Sequence, residues 1–214
     1  MRVARIRTLV LAAHGSAHPG YPAVFEWIAD RIVGNRPDLD VRVGYLDHNS
    51  PRLADLPTDG AVVVPMLLSR GFHQDTDIPA AAPGAIVADP IGPDPRIAEV
   101  IADRLTEAEW QEGAPVVLAA AGSSDPRGIA DVREAATQLA AVLRVEVTAA
   151  FVGAGEPGLA DLEPIAVASY LLAPGHFADV IADCGAQVVS APIGADPRIA
   201  ELVMKRYDAA VPLF

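Results

Sequence analysis

The stretch LVLAAHGSAHP, Leu9 to Pro19, returns roughly a hundred residues later as VVLAAAGSSDP, Val116 to Pro126. In both copies an apolar run of Val, Leu and Ala, without polar alternation, enters a Gly-Ser turn and then a proline. Such a run predicts a strand buried on both faces in a parallel sheet, followed by the loop that opens a helix. The copies differ at one chemically decisive position: His14 in the first stands opposite Ala121 in the second. A duplicated framework has kept its imidazole in one half only.

Working outward, the first strand, Leu9 to Ala13, is followed by a helix from about Tyr21 to Val33, with Val24, Trp27, Ile28, Ile32 and Val33 at helical spacing. Gly34, Asn35 and Pro37 stop it. Val41–Leu46 reads as the second strand, ending at Asp47-His48, and Ser50-Pro51 opens a short helix to Leu56. The third strand, Ala61–Leu68, runs into Ser69-Arg70-Gly71-Phe72-His73, where Asp75 and Asp77 begin the next helix and complement its dipole. Ala85–Ala88 is the fourth strand, and Asp94-Pro95 starts a helix to about Thr106.

Strand and helix in alternation predict an open parallel sheet with helices on its faces. Glu107–Ala114 is the candidate linker, after which Val116–Ala120, Gly128–Leu143, Val145–Phe151, Ile165–Leu172 and Gln187–Ser190 repeat the order. The closing elements support the duplication: IGPDPRIAE at Ile91–Glu99 and IGADPRIAE at Ile193–Glu201 differ only at Pro93 against Ala195. The expected domains are 1–108 and 115–214.

Composition sets limits. The chain has 214 residues, 51% of them hydrophobic, and a net charge of 16 − 28 = −12. An acidic surface without a basic stripe argues against nucleic-acid binding. No apolar run approaches the ~18 residues that span a bilayer, and the N-terminus passes directly into the first strand, so neither membrane span nor signal peptide is expected. The single cysteine, Cys184, excludes an internal disulfide, reads as a small buried hydrophobe, and fits a reducing cytoplasm.

Ligands of open α/β sheets bind beyond the carboxyl ends of the strands. There the first half places His14, then Asp47 and His48, then His73 with Asp75 and Asp77. Imidazole and carboxylate together suit a first-row divalent metal. The second half has Ala121 opposite His14, Gly153 opposite Asp47, and His176-Phe177 opposite Phe72-His73. Residues needed only for packing would have been required in both halves.

Competing motifs fail on specifics. Ala13 stands where a phosphohistidine mutase has arginine. GAGEPG at Gly153–Gly158 carries Pro157 within its glycine pattern and has no counterpart in the first half. Ser16 sits too close to its strand for a nucleophile elbow.

The sequence resembles the class II tetrapyrrole chelatases, the CbiX/SirB-type sirohydrochlorin chelatases. The matching residues are AAHGS around His14, YLDHNSP after the second strand, and PMLLSRGFHQDTDIP with His73, while YLLAPGHFADVI is a looser copy in the second half. The resemblance implies two flavodoxin-like lobes, each a four-stranded parallel sheet flanked by helices, around a cleft. It implies ATP-independent insertion of Co²⁺ or Fe²⁺ into sirohydrochlorin or a related ring in siroheme or cobalamin synthesis, with the metal as substrate and no organic cofactor. His14 and His73 are the implied metal ligands and catalytic residues. The family's strand-two motif ends Phe-Leu-Glu, whereas here Tyr45-Leu46-Asp47 is one methylene shorter. Asp47 then reaches the metal directly or through a water, or His48 replaces it.

Ser16, Ser123, Arg70 and His176 are the candidate substrate contacts, and Arg52 and Arg127 are further cations at strand ends that could offset the charge of a polycarboxylate ring. Each of these arginines, and His18 and His48, also has a plain reading as a surface or turn residue. A monomer is expected, since two fused lobes already form a cleft. The rival reading is a metal or tetrapyrrole carrier on the same frame, which binds without accelerating insertion.

Overall fold

A computed structural model describes residues 8–71 and 73–211; the side chains of residues 73 and 74 lie outside the described set. The elements run β1 (Thr8–Ala13), α1 (Tyr21–Asn35), β2 (Asp40–Tyr45), β3 (Val62–Pro65), α2 (Ile78–Ala81), β4 (Ile86–Val87) and α3 (Pro95–Glu107). They repeat as β5 (Val116–Ala120), α4 (Pro126–Leu143), β6 (Val147–Phe151), β7 (Ala166–Ser169), α5 (His176–Ala182), β8 (Val188–Val189) and α6 (Pro197–Ala210). Two all-parallel sheets result, ordered β2-β1-β3-β4 and β6-β5-β7-β8. The predicted α/β fold with two similar lobes is the one observed.

The apolar runs lack polar alternation because both faces of each sheet are covered. Along β1, Leu9, Leu11 and Ala13 join a core that also holds Leu118 and Ala120 of β5, so one hydrophobic body serves both sheets. Val10 and Ala12 point the other way, against Leu53 and Ile78. In the second half Ala119 does the same against Leu159 and Ile181, and the half-buried Cys184 packs at that cluster's edge.

The last helix of each half crosses over. Helix α6 packs on α1 and β3 of the first sheet, and α3 packs on α4 and β7 of the second. Matched arginines fasten the exchange: Arg104 Nε donates to the carbonyl of Ile193 at 3.1 Å, and Arg206 Nη2 donates to the carbonyl of Ile91 at 3.2 Å. Three helices begin with Asp-Pro-Arg, and Asp94, Asp125 and Asp196 each accept the N–H two residues on. That is N-capping with proline already at the first helical position. In the turn before α1, His18 takes the place of Asp125, and its Nδ1 accepts the Gly20 N–H at 3.1 Å. His18 thus has the turn role.

Two expectations are corrected. The buried face of α1 is Phe25, Ile28, Ala29 and Ile32, while Trp27 and Val33 are 39% and 41% exposed. Phe25 starts the i, i+3, i+4, i+7 series that fits the sheet, and Trp27 falls between its rows. Asp75 and Asp77 do begin the helical stretch after β3, in a π-helical turn, His73–Asp77, that runs into α2, with Asp77 at the N-cap position and no side-chain cap hydrogen bond. The third and seventh strands are also shorter than their apolar runs, because chain beyond Pro65 and Ser169 leaves the sheet as loop.

Candidate active site

The carboxyl end of β1 is built by its backbone. The Asp47 N–H donates to the His14 carbonyl at 2.7 Å, carrying the β1–β2 pairing one step beyond the strands. Gly15 follows at φ 104°, and a Cβ there would lie 1.8 Å from the Asp47 carbonyl oxygen. Only glycine permits that approach. Asn49 Oδ1 accepts the Ser16 N–H at 2.8 Å, and the Tyr21 hydroxyl accepts the Gly15 N–H at 3.3 Å. Burial raises the Tyr21 phenol and pushes Tyr45, beneath it, up to about 12, so both stay neutral supports of the turn. His14 is thereby presented, exposed, at the mouth of a cleft of about 500 Å³ lined by His14, Leu46, Asp47, Asp77, Ala80 and Ala81.

The second half opens its turn in the same way, without these side chains, and then departs by one residue. Gly153 donates to the Ala121 carbonyl at 2.8 Å, and Gly122, at φ 97°, would place a Cβ 2.3 Å from the Ala154 oxygen. The structure therefore confirms that Ala121 is the counterpart of His14 and Gly153 that of Asp47.

The expected third ligand, Asp47, shares the cleft with His14, yet its carboxylate is engaged. Arg52 Nη1 donates to Oδ1 at 2.9 Å, the His48 N–H donates to the same oxygen at 2.8 Å, and His48 Nε2 lies 3.6 Å from Oδ2. The Arg52 hydrogen bond, with help from the His48 N–H, holds the Asp47 carboxyl below the usual carboxylate range. His73 follows β3 at the start of the π-helical turn, and its side chain lies outside the described residues. Among the described residues no three His, Cys, Asp or Glu side chains converge on a common metal position.

Four residues expected to touch substrate have distinct surroundings. Ser16 Oγ accepts the His18 N–H at 3.1 Å, and Ser123 Oγ accepts the Asp125 N–H at 3.0 Å, so the two hydroxyls occupy matching turns. A Cβ on Gly175 would sit 2.9 Å from Ser16 Oγ, which brings the loop before His176 against the first half's turn. His176 is exposed at the start of α5, its ring tilted against Phe177 at 5.6 Å. Arg70 also holds the second half. Its Nη2 donates to Asp131 Oδ1 at 2.6 Å and its backbone N–H to Oδ2 at 2.7 Å, with Asp131 only 2% exposed on α4. A buried carboxylate demands such a partner, so Arg70 fastens the halves. Beside it the Tyr170 hydroxyl donates to the Leu68 carbonyl at 2.9 Å. Arg127 likewise is shared between Asp125 and Asp75.

Sequence reading missed Tyr21 and Asn49 as supports of the His14 turn. Asn49 could have been found from its place just after a strand-end carboxylate; nothing local marks Tyr21.

The CbiX family model matches residues 8–108. The sirohydrochlorin cobaltochelatase of Methanothermobacter thermautotrophicus is 30% identical over 131 residues, which cover 91% of that protein and 47% of this chain. The chain belongs to the CbiX family. A second CbiX relative, the sirohydrochlorin cobaltochelatase of Methanopyrus kandleri, is 29% identical over 140 residues, 98% of its length and 49% of this chain. About half of this chain therefore spans these relatives almost end to end. Two solved structures share the two-lobed fold across 96% of the chain. They are SirB from Bacillus subtilis with Fe3+, at TM-score 0.73 and 23% identity, and CbiX of denitrifying bacteria, at TM-score 0.72 and 24% identity.

Proposed function

We propose that the chain is a class II chelatase that inserts a divalent metal, Co²⁺ or Fe²⁺, into sirohydrochlorin. One observation carries the assignment of the site. The same glycine turn closes the first strand of each half, and only the first half equips it with His14 and Asp47 at a cleft. We accordingly read 1–108 as the metal lobe and 115–214 as a degenerate repeat that completes the fold and supplies a facing wall. One chain then holds both walls, and a monomer is the working unit. Among the described residues no helix is long and apolar enough to cross a membrane, and the lone cysteine fits the cytoplasm as the place of work.

Metal insertion exchanges M²⁺ for the two pyrrole N–H protons of the ring. It needs a metal loosely enough held to be handed over, a proton acceptor, and a wall that holds the ring against the metal. An ordinary imidazole titrates near about 6.5, so a neutral histidine at pH 7 can bind metal or take up a proton. His14 is assigned both roles in succession, His73 that of second ligand, and Asp47 that of auxiliary ligand or orienter. Ser16, Ser123 and His176 are assigned to the ring, from the turns where the halves meet. No step consumes a nucleotide. The family membership favours an enzyme over a carrier.

The test is anaerobic absorbance of sirohydrochlorin with Co²⁺ and, separately, Fe²⁺, with and without the protein. Acceleration over the spontaneous rate is expected, and the faster metal names the physiological substrate. A rate equal to the spontaneous one, with metal still bound, would make the chain a carrier.

A further inference from the structure

The chain carries net charge −12, and its candidate cleft is lined by two carboxylates, Asp47 and Asp77. A polycarboxylate ring entering there is held best where a cation faces it. Arg70 and Arg127, the other arginines near these loops, are committed to Asp131 and to Asp125 with Asp75. Arg52 differs. Its Nη1 holds two lining residues at once, the Leu46 carbonyl at 2.9 Å and Asp47 Oδ1 at 2.9 Å, while the side chain remains 44% exposed. Among the described residues no hydrogen bond engages its Nε or Nη2. A guanidinium offers five N–H donors in a fork that matches a carboxylate, so Arg52 can accept a second anion or exchange its first. Its ion pair is exposed, like that of Arg127, but rests on a single nitrogen, so it exchanges more readily.

We propose that Arg52 is the residue that docks a peripheral carboxylate of the tetrapyrrole at the His14 cleft, and that Asp47 is its resting partner, displaced when the ring arrives. Ring docking then frees the Asp47 carboxylate beside His14, at the point in the cycle when an additional ligand or proton acceptor is useful. The shorter aspartate would thus serve as a gated group, exposed to the metal only with ring bound. This inference rests on the proposed function and names how that site recognises its substrate.

Metal-free sirohydrochlorin binding, read from the quenching of ring fluorescence, tests it in wild type, Arg52→Gln, Asp47→Ala and the double variant. Arg52→Gln is expected to weaken binding about tenfold, the scale of a charge-assisted hydrogen bond. Asp47→Ala is expected to tighten it about threefold by removing the competitor for Arg52, and this gain should vanish in the Arg52→Gln background. Both positions are exposed, so the variants should fold. Equal affinity of Arg52→Gln and wild type would overturn the docking role. A gain from Asp47→Ala that persists without Arg52 would overturn the exchange, since it would reflect charge alone. A wild type that fails to bind the ring would instead overturn the proposed function, and the Arg52 assignment with it.

Discussion

At the ends of β1 and β5 the backbone does the same thing and the side chains do not. Both strands finish on a carbonyl that accepts an N–H from the neighbouring loop, at 2.7 Å for His14 and 2.8 Å for Ala121, and both turn on a glycine of positive φ. The second half shares that first step without the imidazole and the carboxylate, and then departs: the Ser16 N–H is accepted by Asn49 Oδ1, the Ser123 N–H by the Ala154 carbonyl. Geometry is what the shared core requires, because the two sheets pack on one hydrophobic body and exchange their last helices. Chemistry is required once per cleft. Comparison of the two halves therefore separates the residues that both turns need from those that the proposed chemistry needs.

The largest expected effect breaks this symmetry directly. His14→Ala should lower the insertion rate by about a hundredfold or more, the scale of a lost ligand and proton acceptor, while Ala121→His should leave it within about twofold of wild type. Steady-state insertion assays at fixed metal compare them. Equal losses would mean that the halves are functionally equivalent.

A smaller effect concerns the fastening of the halves. Arg70→Ala leaves Asp131 charged and buried without its guanidinium, and the melting temperature should fall by roughly 5–10 °C. Arg127→Ala, at an exposed cluster, should lower it by no more than about 2 °C. Calorimetry of both variants decides whether Arg70 is structural, as its contacts indicate.

The smallest concerns the matched caps. Asp94→Ala and Asp196→Ala should each cost about 1 kcal/mol, with Asp94 the larger because Lys205 and Arg206 of α6 also approach it. Both carboxyls are held below their ordinary values. For Asp94, burial pushes upward and the Arg96 contacts outweigh it; for Asp196 the Arg198 hydrogen bond leads and burial opposes. The stability they add is fully present above the unfolded value of about 3.9 and is lost as pH falls through the lower folded values. The doubly substituted Asp94→Asn, Asp196→Asn protein should therefore show a flatter decline of melting temperature below pH 4. An unchanged acid limb would place the acid sensitivity elsewhere.

Much of this was legible in the chain. Unalternating apolar runs announced sheets covered on both faces, and the Asp-Pro-Arg repeats marked helix starts because capping is local chemistry. His14 and Asp47 stood out because the repeat supplied its own control. The exchange of α3 and α6 was invisible, since an amphipathic pattern shows that a helix has a buried face and not which sheet covers it. The partner of Arg70 was hidden for a related reason: Asp131 lies on α4 of the other half, and nothing in Ser69-Arg70-Gly71 points there. Trp27 was misplaced on α1 because hydrophobicity alone ranked it above Ala29, which the sheet accommodates.

The proposed function assigns the metal chemistry to the first half alone. Titration of the protein with Co²⁺ under anaerobic conditions, followed by the ligand-field absorption of the bound ion, tests it most directly. One equivalent per chain is expected, lost in His14→Ala and retained in His176→Ala. Two equivalents, or undiminished binding without His14, would contradict it.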